Sequence, residues 1–177
     1  MLNIRENIAK MAVVTVFTLV GGTFPHATAS DVVEAPKVPA VVKVVDPLKE
    51  FKDAKALNES ELKELLQAVG FEGKALRTAW AVAMKESNGR PLAHNKNANT
   101  GDNSYGIYQI NMIGDLGPAR REKFDLKTNA DLFDPVTNAK IAYFMTAGGK
   151  NWSAWKIYPG QNNGERYEAF LYRYALN

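Results

Sequence analysis

Apolar residues recur at helical spacing along most of the chain beyond residue 57. Leu62, Leu65, Leu66 and Val69 form one stripe, with Asn58 ahead of it as N-cap, Glu61 three residues on, and Gly70 as the stop. A second helix is predicted over 74–86. Ala75, Leu76, Ala79, Trp80, Val82 and Ala83 share an arc there, and Lys74, Arg77, Thr78 and Lys85 take the other side. Gly89 and Pro91 end it. A polar, turn-rich stretch follows, and then the period changes. Tyr105, Ile107, Gln109 and Asn111 alternate with Gly106, Tyr108 and Ile110, which predicts a short strand with two unlike faces. Pro118 suits the first turn of a short helix reaching Phe124. Asp134-Pro135 opens another, with Val136, Ala139, Tyr143 and Thr146 along one side and Gly148-Gly149 at its close. A final helix carries Tyr167, Phe170, Leu171 and Tyr174. The pattern is mostly α (α+β), a helical domain with a small β-hairpin.

The segment ahead of this domain has a different character. Residues 30–56 mix Pro36, Pro39 and Pro47 with valines and alternating charges, which predicts an extended linker, or alternatively a strand from Val41 to Val45. Residues 1–29 read as a signal peptide: Arg5 and Lys10 precede an apolar run from Met11 to Phe24, and Ala27-Thr28-Ala29 ends it. The run is short of the ~20 apolar residues of a membrane span and is interrupted by Gly21-Gly22, so export is expected, with membrane association only if the segment is uncleaved. The expected domain is 57–177, long enough for one core and acting as a monomer.

Composition narrows the chemistry. There is no cysteine, which removes thiol catalysis and cysteine-ligated zinc. The histidines are His26 and His94, and His94 lies in a polar loop with no triad pattern around it. A net charge of +3 suits attraction to anionic polymers, of a cell wall or of nucleic acid, and equally plain solubility; the scattered basic residues resemble no nucleic-acid motif. Asn95, Asn97 and Asn99 alternate as in a calcium loop, but Thr100 and Gly106 stand where glycine and glutamate would be needed. No metal or other cofactor is expected.

Glu86 is the residue that stands out. It follows Ala79 by seven, Val82 by four and Ala83 by three, so it continues the apolar arc at the C-terminal end of its helix. An apolar setting and the negative end of the helix both disfavour a carboxylate anion, which makes Glu86 a candidate proton donor. The polar segment Asn95 to Ser104 and the amide side chains of Gln109 and Asn111 then outline a polysaccharide cleft.

Glu86-Ser87-Asn88 followed by Tyr105-Gly106-Ile107-Tyr108-Gln109-Ile110-Asn111 resembles the catalytic region of the lysozyme superfamily, which includes animal lysozymes and the lytic transglycosylases of bacteria and phages. Asp134-Pro135-Val136-Thr137-Asn138-Ala139 with Gly148-Gly149 resembles the transglycosylase pattern, and Asn151-Trp152-Ser153-Ala154-Trp155 a tryptophan segment of animal lysozymes. The resemblance implies a lysozyme-like fold acting on peptidoglycan glycan strands. It implies that Glu86 is the general acid, that Trp152 is an apolar wall beside it, and that Gln109 and Asn111 contact the sugar, with Ser104 and Tyr105 on the same stretch as further candidate substrate-binding residues.

The sequence departs from animal lysozymes at one position. Those enzymes place an aspartate directly before the tyrosine-glycine pair, whereas Ser104 stands here and the nearest acid is Asp102. Two carboxylates are expected in a hydrolase, about 5 Å apart when one attacks the sugar and roughly 6.5–9.5 Å apart when it activates water. Asp102 is the candidate second carboxylate, or else an Asx residue capping a turn. A lytic transglycosylase works instead with one glutamate as acid and then base, closing an anhydro ring on the muramic acid. A non-catalytic glycan-binding or virion structural domain is the reading from outside the enzymes.

Overall fold

Two capped helices form the back of the molecule. A computed structural model describes residues 46–97, 99–157 and 165–174, with side chains from 169 in the last segment; the expected signal peptide and most of the expected linker lie outside the described residues. Helix α1 (Glu59–Val69) begins at Asn58, whose side chain accepts from the Glu61 N–H at 2.9 Å while the Glu61 carboxylate accepts from the Asn58 N–H at 2.7 Å. This reciprocal pair satisfies two N–H groups that a helix start otherwise leaves open. Gly70, at φ 114°, closes the helix.

Helix α2 (Gly73–Ser87) follows after a short corner. Its middle is buried on every side, through Ala79, Trp80, Ala81, Val82, Ala83 and Met84. A helix enclosed in this way is the centre of its domain. It stops at Asn88 and Gly89, both in the left-handed conformation.

The chain then builds an antiparallel sheet of β1 (His94–Asn97), β2 (Asp102–Tyr105) and β3 (Ile110–Asn111), in that order. Asn97 pairs with Asp102, Asn95 with Ser104, and Ser104 in turn with Asn111. The alternation over 105–111 therefore does not make one strand. The chain turns between Tyr105 and Ile110, with Gly106 at φ 73° and Gln109 at φ 48°, and both Ile107 and Tyr108 are buried. Two adjacent buried side chains are incompatible with an extended strand whose faces differ, and the core takes both.

Asn138 is the reason the turn is tight. It lies on α4 (Pro135–Met145), fully buried, and its side-chain oxygen accepts from the Tyr108 N–H at 3.0 Å. Its amide donates to the carbonyls of Tyr105 and Leu132, each at 2.9 Å. A Cβ at Gly106 would lie 2.2 Å from that amide nitrogen. Glycine is therefore required by close approach as well as by its positive φ.

The remaining elements are α3 (Leu116–Phe124), a 3-10 turn at Asn129–Phe133, a second at Ser153–Trp155, and α5 (Glu165–Tyr174). Helix α5 lies on α2 and α1: Tyr174 packs edge-on against Trp80, Arg77 donates to the Leu171 carbonyl at 3.3 Å, and Arg173 pairs with Glu59. Phe51 is buried in the core, so the packed domain reaches back into the stretch expected to be linker. An apolar ring there outweighs the nearby proline and charged residues. The fold is mostly helical with a small three-stranded sheet, the mostly α (α+β) class expected.

Candidate active site

Helix α2 delivers Glu86 to a cavity of about 610 Å³ lined also by Lys85, Ala169 and Phe170. The Glu86 side chain is one-quarter exposed and lies 3.4 Å from the Lys85 ammonium. It is thus neither buried in the core, as its place on the apolar arc suggested, nor free in solvent. The last turn of a helix can carry an arc out of the core once its backbone stops, and here Asn88 stops it. Phe170 supplies an apolar ring and α2 directs its carbonyl end at the same place.

Ser87, directly after Glu86, is buried and donates to the Ile107 carbonyl at 2.8 Å and to the Ala83 carbonyl at 3.2 Å. This hydroxyl ties the end of α2 to the turn that follows β2. Tyr108 strengthens the joint, its hydroxyl donating to the Ala79 carbonyl at 3.0 Å. Burial raises the Tyr108 phenol well above its ordinary pKa, so it stays a neutral donor.

The sheet arranges the other predicted residues in two sets. On one face, Asp102 accepts from the Ser104 hydroxyl through one oxygen and from the Asn95 amide at 2.6 Å through the other. Both carboxylate oxygens are engaged within the sheet. On the other face, Tyr105 stacks on His94 with ring centroids 4.3 Å apart and meets Phe133 at 5.3 Å. His94 also contacts the Asn103 side chain at 3.0 Å.

Gln109 and Asn111 are each half committed. The Gln109 amide donates to the carbonyls of Ala93 and Gly106 at 3.1 and 2.9 Å, while the Asn111 side-chain oxygen accepts from the Ile113 N–H at 2.9 Å. What these side chains can still offer a ligand is an acceptor from Gln109 and a donor from Asn111. Arg120 donates to the Asn111 carbonyl and so fixes β3 to α3. Asn97 caps a turn, its side chain accepting from the Asn99 N–H at 3.0 Å and the Thr100 N–H at 3.4 Å.

Trp152 is buried, with its ring 6.0 Å from Phe71 and 5.6 Å from Trp155 and its indole N–H donating to the Gly149 carbonyl at 3.0 Å. Trp155 donates to the Tyr108 carbonyl at 2.8 Å. These tryptophans brace the core behind the turn, and among the described residues the aromatic one lining the Glu86 cavity is Phe170. Its signal in the sequence was the helical spacing of the last element, which marks a packed face but not the partner it packs on. Among the described residues, no group of three His, Asp or Glu side chains is placed to hold a metal ion.

A family model described as a lysozyme-like domain matches residues 63–157, more than half of the chain. Searches of curated proteins and of solved structures returned no match. The matched span begins within α1 and ends just past Trp155, and so holds Glu86, the whole sheet and Asn138.

Proposed function

Because this chain belongs to the family of lysozyme-like domains, we propose that it cleaves the β-1,4 bond between N-acetylmuramic acid and N-acetylglucosamine in peptidoglycan, with Glu86 as general acid. The observation that carries this reading is the placement of Glu86 at the end of the central helix, lining a cavity to which Phe170 adds an apolar ring. In the first step the Glu86 carboxyl gives its proton to the glycosidic oxygen as the C1–O bond breaks. Lys85, at 3.4 Å, is placed to stabilise the carboxylate left behind. The Gln109 acceptor and the Asn111 donor, which are not among the described residues lining that cavity, would complement the N–H and C=O of an acetamido group held along the sheet.

The second step follows the transglycosylase route in this reading. The Glu86 carboxylate takes the proton of the muramic 6-hydroxyl while that oxygen attacks C1, which closes an anhydro ring without consuming water. Asp102 is bonded to Ser104 and Asn95 within the sheet and is not among the described residues lining the Glu86 cavity, which supports this route over a hydrolysis that needs a second carboxylate at the sugar. Export across a membrane accompanies the proposal, since the polymer lies outside the cytoplasm and residues 1–29 have signal-peptide character.

Dye release from purified cell walls tests the acid role. Glu86→Gln is expected to lower the rate at least about 100-fold, and equal release by both proteins would refute it. Mass spectrometry of the products tests the route: an anhydro sugar, lighter by one water than a reducing end, is expected. Reducing ends alone would favour hydrolysis with Asp102.

A further inference from the structure

A second cavity, about 280 Å³, is lined by Lys55, Ala56, Leu57, Arg90, Leu92 and Ala93. Its lining is small and aliphatic apart from two cations. Neither Lys55 nor Arg90 has a carboxylate partner among the described residues. Leu92 stays 49% exposed at its rim.

The walls are held in place. The Arg90 side chain donates through Nε to the Ser87 carbonyl at 2.9 Å, which leaves its terminal nitrogens for a ligand. The Ala93 carbonyl accepts from the Gly106 N–H at 2.8 Å and from Gln109 at 3.1 Å. The cavity is thus anchored to the end of α2 on one side and to the sheet turn on the other. Arg90 stands four residues after Glu86, so their Cα atoms are at most about 14 Å apart.

We propose that this cavity binds the carboxylate-bearing peptide that the muramic acid of the substrate carries. The inference rests on the reading of the chain as a peptidoglycan-cleaving enzyme. Two cations over an aliphatic floor complement a short peptide of small residues ending in carboxylates: methyl groups meet Leu57, Leu92 and the alanines, and the carboxylates meet Lys55 and Arg90. A volume under the about 300–1,000 Å³ of drug-sized ligand sites suits one or two such residues. A bare phosphate would leave the aliphatic lining unused.

Two measurements test it. The first compares kcat/KM on glycan strands carrying their peptides with kcat/KM on the same strands stripped by an amidase. Wild type is expected to prefer the peptide-bearing strands by about tenfold, and Lys55→Gln combined with Arg90→Gln is expected to bring that ratio close to one. A wild-type ratio of one, or a ratio unchanged in the double variant, would overturn the proposal. The second measurement needs no turnover. Calorimetric titration of Glu86→Gln with N-acetylmuramoyl-L-alanyl-D-glutamate is expected to show binding about tenfold tighter than that of its diamide, lost in the triple variant. Equal affinity for acid and diamide would overturn the inference, whereas selective binding by a protein that cleaves no strand would uphold the cavity and refute the Glu86 mechanism.

Discussion

Glu86 shows how one side chain can leave a helical arc that the rest of the helix keeps. Its neighbours on the arc, Ala79, Val82 and Ala83, are fully buried, while Glu86 emerges into a cavity because Asn88 ends the helix in a left-handed turn. Asp102 has a different economy. With both oxygens bonded to Ser104 and Asn95, it acts as a clamp between β1 and β2, and Asp102→Asn is expected to keep the cleavage rate within about threefold while lowering stability by about 1 kcal/mol. A rate loss above about 100-fold in the dye-release assay would mean the carboxylate takes part in the chemistry. Asn138 should matter far more for stability, since its three bonds are buried. Asn138→Ala is expected to cost about 3 kcal/mol by chemical denaturation, because it strands the Tyr108 N–H and two carbonyls. A cost below about 1 kcal/mol would show that the turn holds without it.

At the scale of elements, the turn after β2 and the last helix join the sheet and the Glu86 cavity to the core. Gly106 and Gln109 at positive φ shorten the expected strand and let Ile107 and Tyr108 enter the core, and the same turn receives the Ser87 hydroxyl from the end of α2. Helix α5 contributes Phe170 to the Glu86 cavity. Phe170→Ala is expected to slow cleavage about tenfold, because the apolar wall of the cavity is lost, with Phe170→Leu restoring most of the rate. An unaltered rate would remove Phe170 from the site. The 3-10 turn at Asn129–Phe133 carries its own pH dependence. The slight burial of Asp131 works against its anion, but the N–H groups of Thr128 and Lys127, the Thr128 hydroxyl and the Lys127 charge outweigh it and hold the carboxyl below its ordinary pKa. A depressed folded pKa stabilises fully above the unfolded value and is lost as pH falls through the folded one. Asp131→Asn is therefore expected to lower the melting temperature slightly at neutral pH, and the gap should close as the pH drops below the ordinary carboxylate range.

For the whole molecule, the decisive contact is that of α5 with the first two helices. Trp80 against Tyr174, Arg77 to the Leu171 carbonyl and Glu59 with Arg173 hold it there. Truncation before Glu165 is expected to cost about 3 kcal/mol, from the partly buried Phe170, Leu171 and Tyr174, and to abolish cleavage even in protein that stays folded by circular dichroism. Full activity after truncation would show that α5 only covers Trp80. The sequence by itself determined what depends on near neighbours. The caps at Asn58, Gly70 and Asp134, the helical stripes of α1, α2 and α4, and the position of Glu86 at a helix end all follow from contacts three or four residues apart. Tertiary structure decided the rest: that Phe170 rather than Trp152 lines the Glu86 cavity, that Asp102 is tied to Ser104 and Asn95, and that Asn138 folds residues 106–109 into a turn. Periodicity marks which face of an element is apolar, but the partner of that face is set by packing between residues distant in the chain, and no local spacing encodes it.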